Sequence, residues 1–311
     1  MVPLPSPQQL RYLIALSETQ HFGRAARVCG VTQSTLSAGI LALERQLDAA
    51  ILDRGAGKRV VFTALGLAML ERARTALAAL EAVNEAAASA RSPLSGPLRL
   101  GVIPTIGPFL LPRLMPALRA AFPRLRLLLR EDLTDQLVAR LSANRLDLLL
   151  LALPCACAGA ETLAVANDEF LVAMPPGHPL AAHDTVPAAA LATERLLLLE
   201  DGHCLRDQAL SACGFLGGEP GEEHERFAAT SLHTLAQMVA GGFGVTLLPR
   251  LAVAGGVATD AGLALRPLAG AGAWRTLGLA WRPGAPRAAD YRAMAPVVAE
   301  ACQAAMTLPA A

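Results

Sequence analysis

Residues 64–91 read ALGLAMLERARTALAALEAVNEAAASAR, with no proline and a single glycine near the start. A run so rich in alanine, leucine and glutamate has one favoured local form, a continuous helix about 42 Å long. Leu67, Leu70, Ala73, Leu77 and Leu80 recur along it at three- and four-residue steps. That seam needs cover, either from its own domain or from a second copy of the chain, and a dimerising linker helix is the expected use. Beyond it, Ser92-Pro93-Leu94-Ser95-Gly96-Pro97 has the composition of a hinge. The chain therefore divides into a head (residues 1–63), a linker and hinge (64–95) and a larger remainder (96–311).

In the head, Ser6 as N-cap, Pro7 at N1 and Gln9 at N3 open a helix carrying Leu10, Leu13 and Ile14 on one face. A second short helix covers about Phe22 to Cys29 and stops at Gly30. Thr32 can cap a third, from Gln33 to about Leu47, with Leu36, Ile40, Leu43 and Leu47 on its apolar side. After Asp53, RGAGKRVVFT reads as a glycine turn and a strand. Helix, helix, tight turn, helix and basic wing make an all-α-type winged helix-turn-helix. Gln33, Ser34, Thr35 and Ser37, at the start of the third helix, are polar groups suited to base edges of double-stranded DNA. Arg54, Lys58 and Arg59 suit its phosphates. The whole chain carries a net charge of only +1, but residues 1–64 hold seven Lys or Arg against four Asp or Glu. That modest local excess fits a nucleic-acid partner.

In the remainder, LRLGVI, LRLLLRE and LDLLLLA read as strands alternating with the helical runs FLLPRLMPALRAAF and DQLVARLSANR. Such a βαβ series implies a parallel sheet covered on both faces. EFLVAMPPGHPLA resembles a crossover into a second lobe, and a final helix begins near Ala288. The expected architecture is a two-lobed α/β module with a cleft, lobe I being about 96–167 plus 274–311 and lobe II about 168–273. Hydrophobic residues make up 53% of the chain, yet its longest run without Asp, Glu, Lys or Arg, Phe227 to Pro249, is broken by polar residues, glycines and a proline. It is too polar to span a membrane. The N-terminus has neither a basic start nor an apolar core, so a cytoplasmic protein with no membrane partner is expected.

Six cysteines remain: Cys29, Cys155, Cys157, Cys204, Cys213 and Cys302. Disulfides in a reducing compartment are rare and mostly redox-linked. Cys204 and Cys213 lie nine residues apart in the helical run CLRDQALSAC. On one helix this is roughly 13–14 Å of rise with the side chains on opposite faces, whereas a disulfide needs Cα atoms within about 7 Å. Either these thiols never meet, or the helix is dismantled when they do. Cys204 stands at a helix start, where His203 and Arg206 add positive charge and Glu200, Asp201 and Asp207 oppose it, and Cys213 lies in an apolar setting with Leu210, Ala212 and Phe215. Cys155 and Cys157, a CxC without further metal ligands nearby, read as packing or incidental thiols, and Cys29 and Cys302 as core.

The run FGRAARVCGVTQSTLSAGILALERQLDAAILDR, then VVFTALG and the long helix, is similar to LysR-type transcriptional regulators. The likeness extends over nearly the whole chain. It implies a winged helix-turn-helix, a dimerising linker, a periplasmic-binding-protein-like effector module, assembly as a homotetramer and contact with RNA polymerase. GVIPTIGPFLLP, LEDGHCLRDQALSAC and FAATSLHTLAQMVAGGFGVTLLP resemble the branch of that family that senses hydrogen peroxide. By this resemblance Cys204 is the peroxidatic and Cys213 the resolving cysteine of a reversible disulfide that refolds the effector module of a transcriptional activator. Thr105 and Thr134 match threonines that line the peroxide pocket, His203 and Asp207 flank the thiol, and Arg275 matches an arginine near it; the plainer readings are threonines as strand-end caps, Asp207 as a first-turn helix charge and Arg275 as a surface residue. No cofactor or metal is implied. DRGAGKRVVFT departs from the serine-containing wing more common in the family, which bears on Arg54, Lys58 and Arg59. Two other readings are a regulator of the same family answering to a small organic effector in the cleft, and a thiol peroxidase enzyme.

Overall fold

The computed structural model describes residues 3–53, 60–155, 157, 159–214, 228–270 and 272–307. It divides into two compact units, Met1–Arg91 and Ser92–Ala311.

The first unit holds α1 (Pro7–Thr19), α2 (Phe22–Val28), α3 (Gln33–Leu47) and α4 (Ala64–Arg91). The capping box expected at Ser6 is made in full, Ser6 Oγ accepting from the Gln9 amide while Gln9 Oε1 accepts from the Ser6 amide. Thr32 Oγ1 caps α3 through the Thr35 amide. His21 caps α2 through Nδ1, which accepts from Gly23 and Arg24. Leu13, Leu16, Leu36, Ile40 and Leu43 form the centre of this unit's core. Gly39 brings α3 against the Tyr12 ring, where a Cβ would stand 2.6 Å from the ring edge. Behind α3 the buried Glu44 carboxylate accepts from the amides of Ile51 (2.9 Å) and Leu52 (3.1 Å), fixing the approach to the wing. Leu52 and Phe62 are bridged antiparallel across the wing base, while Arg54, Lys58 and Arg59 lie outside the described residues.

The α4 seam is split between two directions. Leu70 and Ala73 are buried in this unit's core, whereas Leu67 is 54% and Leu80 46% exposed. An apolar groove of about 630 Å³ runs beside it, lined by Leu10, Leu47, Met69, Ala76, Leu80 and Val83 among others. Cys29, expected in the core, is the C-cap of α2 and only partly buried, because Gly30 turns the chain out there.

The second unit runs β1 (Gly96–Val102), α5 (Gly107–Ala121), β2 (Leu125–Glu131), α6 (Thr134–Ser142), β3 (Leu148–Leu153) and β4 (Glu161–Met174). These are followed by β5 (Val186–Pro187), β6 (Leu198–Leu199), α7 (Cys204–Ala212), β7 (Ala228–Ala229), α8 (Leu232–Ala240) and β8 (Thr246–Pro249). The chain ends with α9 (Arg250–Ala254), α10 (Val257–Asp260), β9 (Ala264–Ala269), β10 (Trp274–Trp281) and α11 (Ala288–Met306). The main sheet has the order β2-β1-β3-β10-β4-β9-β5, with β8 on the other side of β4.

Two features depart from the expected parallel sheet. Strands β1, β2 and β3 pair in parallel, but β10 enters antiparallel between β3 and β4. Nor are both faces covered throughout, since Leu128 and Leu129 of edge strand β2 are exposed. β3, by contrast, carries four consecutive leucines, Leu148 to Leu151, with no exposure, as expected of a strand buried on both faces. β4 pairs with β10 from Glu161 to Glu169, then with β8 and β9 from Phe170 on. This one strand is thus shared by two sheet regions. Cys155 and Cys157, expected to be packing thiols, are paired as a disulfide in the β3–β4 connection, their Cα atoms 5.1 Å apart. One intervening residue leaves the two sulfurs adjacent, so the pairing needs no rearrangement of the strands.

Gly66, in the first turn of α4, packs its backbone directly on the Ile51 carbonyl, where no Cβ has room. Gly66→Ala should therefore push α4 off the wing base and destabilise the first unit by about 1–3 kcal/mol. Urea unfolding of the full chain followed by circular dichroism will read this, and a midpoint equal to that of the parent would refute it.

Candidate functional site

The Asp201-Gly202 turn sets up α7. Gly202 has φ +95°, a conformation that side chains disfavour, and the helix begins two residues later with Cys204 in its first position. His203, the N-cap, provides no side-chain cap. An uncapped helix start offers N–H donors and the positive end of the helix dipole to an anion. At the other end Cys213 is the C-cap and Gly214 (φ +78°) turns the chain away. Both thiols are free, Cys204 half-buried and Cys213 buried. Burial pushes the Cys213 thiol up to about 11, so it stays protonated near neutrality. The Phe215 named among its expected neighbours lies outside the described residues.

The positive charges expected around Cys204 are largely accounted for elsewhere. Burial pushes the His203 imidazole below its ordinary value, which the Glu200 carboxylate, 3.9 Å from Nε2, offsets only in part. His203 is therefore neutral at pH 7. Arg206 pairs with Asp201 at 3.1 Å and donates to the Leu199 carbonyl. Asp207 is exposed in the first turn of α7.

Arg275 and Thr105, 170 residues apart, meet directly. Nη1 of Arg275 donates to Thr105 Oγ1 (2.8 Å) and Nη2 to the Thr105 carbonyl (3.0 Å). Its Nε donates to Asp168 Oδ2 at 3.0 Å, and Nη2 lies 2.9 Å from the same oxygen. Both side chains of this ion pair are fully buried. Arg275 is neither a surface residue nor a free charge for the thiolate, because Asp168 balances it and all three nitrogens are engaged. Its role toward Thr105 is geometric. With Thr105 Oγ1 already accepting, the threonine hydroxyl hydrogen is left to donate.

Asp168 also accepts from the Leu251 amide (2.9 Å), anchoring the start of α9 to β4. Cys302 of α11 lies beside this pair. Its thiol is pushed up to about 12, chiefly by burial and further by the Asp168 charge, with Arg275 opposing. Asp168 was not among the residues expected from sequence; nothing local in ANDEFLVAM marks its partner 107 positions away.

Thr134, the first residue of α6, has a buried hydroxyl with no hydrogen-bond partner, and Gln208 Oε1 of α7 is likewise unsatisfied. Such orphans are uncommon and fit a site completed by a small polar molecule. The α6 start and the Gly202 turn are in contact, since a Cβ on Gly202 would lie 3.3 Å from the Leu133 side chain. Among the described residues no group of three or more His, Cys, Asp or Glu could hold a metal ion. In the first unit Gln33, Ser34, Thr35 and Ser37 are all exposed at the start of α3. The Thr35 hydroxyl is partly engaged, lying 2.8 Å from Thr32 Oγ1.

Comparison with known proteins gives a consistent result. Residues 7–67 match the bacterial regulatory helix-turn-helix of the lysR family, and residues 91–303 match the LysR substrate binding domain. The DNA-binding transcriptional dual regulator OxyR of Escherichia coli K12 is 42% identical over 94% of each chain. A probable hydrogen peroxide-inducible genes activator of Mycobacterium leprae is 41% identical over 95% of this chain and 94% of its own. Full-length OxyR of Pseudomonas aeruginosa, a cysteine-to-aspartate variant, superposes with a TM-score of 0.76 at 34% identity, covering 95% of this chain and 98% of that one. A cysteine-to-serine variant of Corynebacterium glutamicum OxyR with H2O2 bound superposes at 0.66 and 31% identity, covering 98% and 95%.

Asp168→Asn leaves the Arg275 charge without a counter-ion and should cost about 3–5 kcal/mol in urea unfolding, much of it recovered when Arg275→Met is added. An Asp168→Asn chain as stable as its parent would show that the pair carries no such energy. His203, held neutral, contributes stability that is complete above the ordinary imidazole pKa of about 6.5 and is lost as pH falls through and below it. His203→Gln should therefore flatten the fall of stability with pH below about 6.5, and an unchanged slope would overturn this.

Proposed function

The chain belongs to the LysR family of bacterial regulators, and we propose that within it the chain is a peroxide-responsive transcriptional regulator that binds double-stranded promoter DNA. One observation carries the reading: two free thiols at opposite ends of a single nine-residue helix, the first half-buried and the second buried and protonated. An accessible thiol with a resolving partner is the usual arrangement of a redox sensor.

The chemistry runs in two steps. The Cys204 thiolate attacks one oxygen of hydrogen peroxide, the O–O bond breaks, and the departing hydroxide is protonated to water, leaving Cys204 as a sulfenic acid. Sulfur of Cys213 then displaces the hydroxyl from Cys204, a second water leaves, and a disulfide closes. Thr105, oriented by Arg275, supplies a donor for a peroxide oxygen, and the unsatisfied Thr134 hydroxyl completes the pocket. His203 acts as a neutral neighbour, and Asp207 as a first-turn charge on the helix.

Closing the disulfide requires α7 to unwind, because helical geometry holds residues nine apart on opposite faces and roughly 13–14 Å along the axis. The sequence makes that affordable. α7 buries only Leu205 and Ala209 fully, and it is bracketed by Gly202 and Gly214. Burial of one leucine contributes about 1.5–3 kcal/mol, a loss within reach of a covalent bond. The result is a two-state element.

We read residues 1–63 as the DNA-binding domain, 64–95 as linker and 96–311 as the effector domain, with β4 and β10 joining lobe I (96–167 and 274–311) to lobe II (168–273). Gln33, Ser34, Thr35 and Ser37 face bases, and the wing residues Arg54, Lys58 and Arg59 face phosphates. The groove beside α4 accepts α4 of a second copy, giving a homodimer and, by pairing of dimers, a tetramer that contacts RNA polymerase. The relatives are named as regulators, and the chain is read as one too rather than as an enzyme. None of the described helices is long and apolar enough to cross a membrane, and a DNA-reading role puts the protein in the cytoplasm.

Cys204→Ser should abolish the peroxide-induced change in the DNA footprint while DNA binding persists. Peptide mass spectrometry under non-reducing conditions, before and after one equivalent of hydrogen peroxide, should find a Cys204–Cys213 crosslink that a thiol reductant reverses. If Cys204 stays reduced, or the variant responds like its parent, the chain answers to a different effector.

A further inference from the structure

The Cys155–Cys157 disulfide lies on the β3–β4 connection, while Cys204, Cys213, Cys29 and Cys302 are free in the same structure. We propose that Cys155 and Cys157 are a second dithiol–disulfide couple, chemically separate from Cys204 and Cys213, that exchanges two electrons with a dithiol reductant. The peroxide reading neither assigns this pair a role nor depends on it.

Loop length argues against a structural staple. A crosslink stabilises a fold mainly by restricting the unfolded chain, and the effect grows with the length of chain enclosed. Here only one residue lies between the two cysteines. Both ends of the connection are already held without the bond. Leu153 pairs with Thr276 of β10, and Glu161, at the start of β4, pairs with Trp281 of the same strand. A bond that adds so little to the fold is free to open and close without unfolding it.

The two sulfurs differ in access. Cys157 is 7% exposed and packs into the main hydrophobic cluster, and its carbonyl accepts from the Ala160 amide at 2.9 Å. Cys155 is only partly buried and rests against that cluster's edge. Exchange begins by attack of a thiolate on an accessible sulfur. The geometry therefore makes Cys155 the entry point and Cys157 the anchored partner. A metal-thiolate site is the competing use of a CxC, and among the described residues no third ligand accompanies it.

A reductant thiolate attacks Cys155 Sγ, the S–S bond breaks, and its electron pair leaves on Cys157 Sγ, which takes up a proton. The second thiol of the reductant then attacks the reductant's own sulfur in the mixed disulfide. Cys155 departs as a thiolate, is protonated, and the reductant leaves as a disulfide. The protein gains two electrons and two protons, and the reverse exchange with an oxidised dithiol restores the bond.

The test uses the full chain carrying Cys204→Ser and Cys213→Ser, equilibrated with graded ratios of reduced to oxidised dithiothreitol and trapped with an alkylating agent. Mass spectrometry follows the peptide containing Cys155 and Cys157. Both residues should become labelled together in one transition, the ratio of dithiol to disulfide peptide rising tenfold for each tenfold rise in the dithiothreitol ratio. The wild-type chain, followed by the same peptide, should give the same transition. Full labelling at every ratio would overturn the proposal, as would a bond that yields only when the chain is unfolded, or exchange of either cysteine with Cys204 in the wild type.

Discussion

The buried ion pair of Asp168 and Arg275 organises the effector unit. It joins β4 to β10, holds the turn after β1 through Thr105, and fixes the start of α9 through the Leu251 amide. Four elements distant in sequence converge on two side chains with no exposure. A buried pair is a poor source of net stability, because desolvation offsets most of the Coulomb attraction. Its value is in specification. An uncompensated charge at this depth is so unfavourable that any arrangement separating the partners is excluded, and the position of the Thr105 hydroxyl is fixed in consequence.

Against that fixed frame α7 is a small element. It has nine residues and two fully buried side chains, and each end is set by a glycine in a conformation other residues avoid. The contrast is chemically useful. Thr105, the donor that would orient a peroxide, sits on a strand-end turn locked by the ion pair, while the two thiols sit on a short helix with little buried surface to lose. A sensor built this way can change state at the thiols without disturbing the donor geometry that received the oxidant.

Local codes were legible in the sequence. Ser6-Pro7-Gln8-Gln9 and Thr32 specify helix starts through hydrogen bonds within four residues, and both appear as written. The βαβ alternation and the start of the last helix at Ala288 were readable for the same reason. What escaped was long-range. Nothing near Arg275 says that it lies at zero exposure against Asp168, so the sequence left a surface position open as its alternative. The antiparallel entry of β10 is a pairing decision made across more than a hundred residues. His203 read as a source of charge because burial, which keeps it neutral, has no local signature. The CxC pair was legible as a motif but not as a bond, since its spacing serves packing thiols and disulfides alike.

The position of β10 also bears on how the chain is made. Residues 274–281 lie between β3 and β4 in the sheet, so until they leave the ribosome both neighbours present an open edge, one of them the wholly apolar β3. Exposed edges of that kind template aggregation, and pairings over such sequence distances form slowly. The effector unit therefore completes its main sheet only once β10 has been made, and any product cut short before Trp274 leaves one edge of β3 and one edge of β4 without a partner.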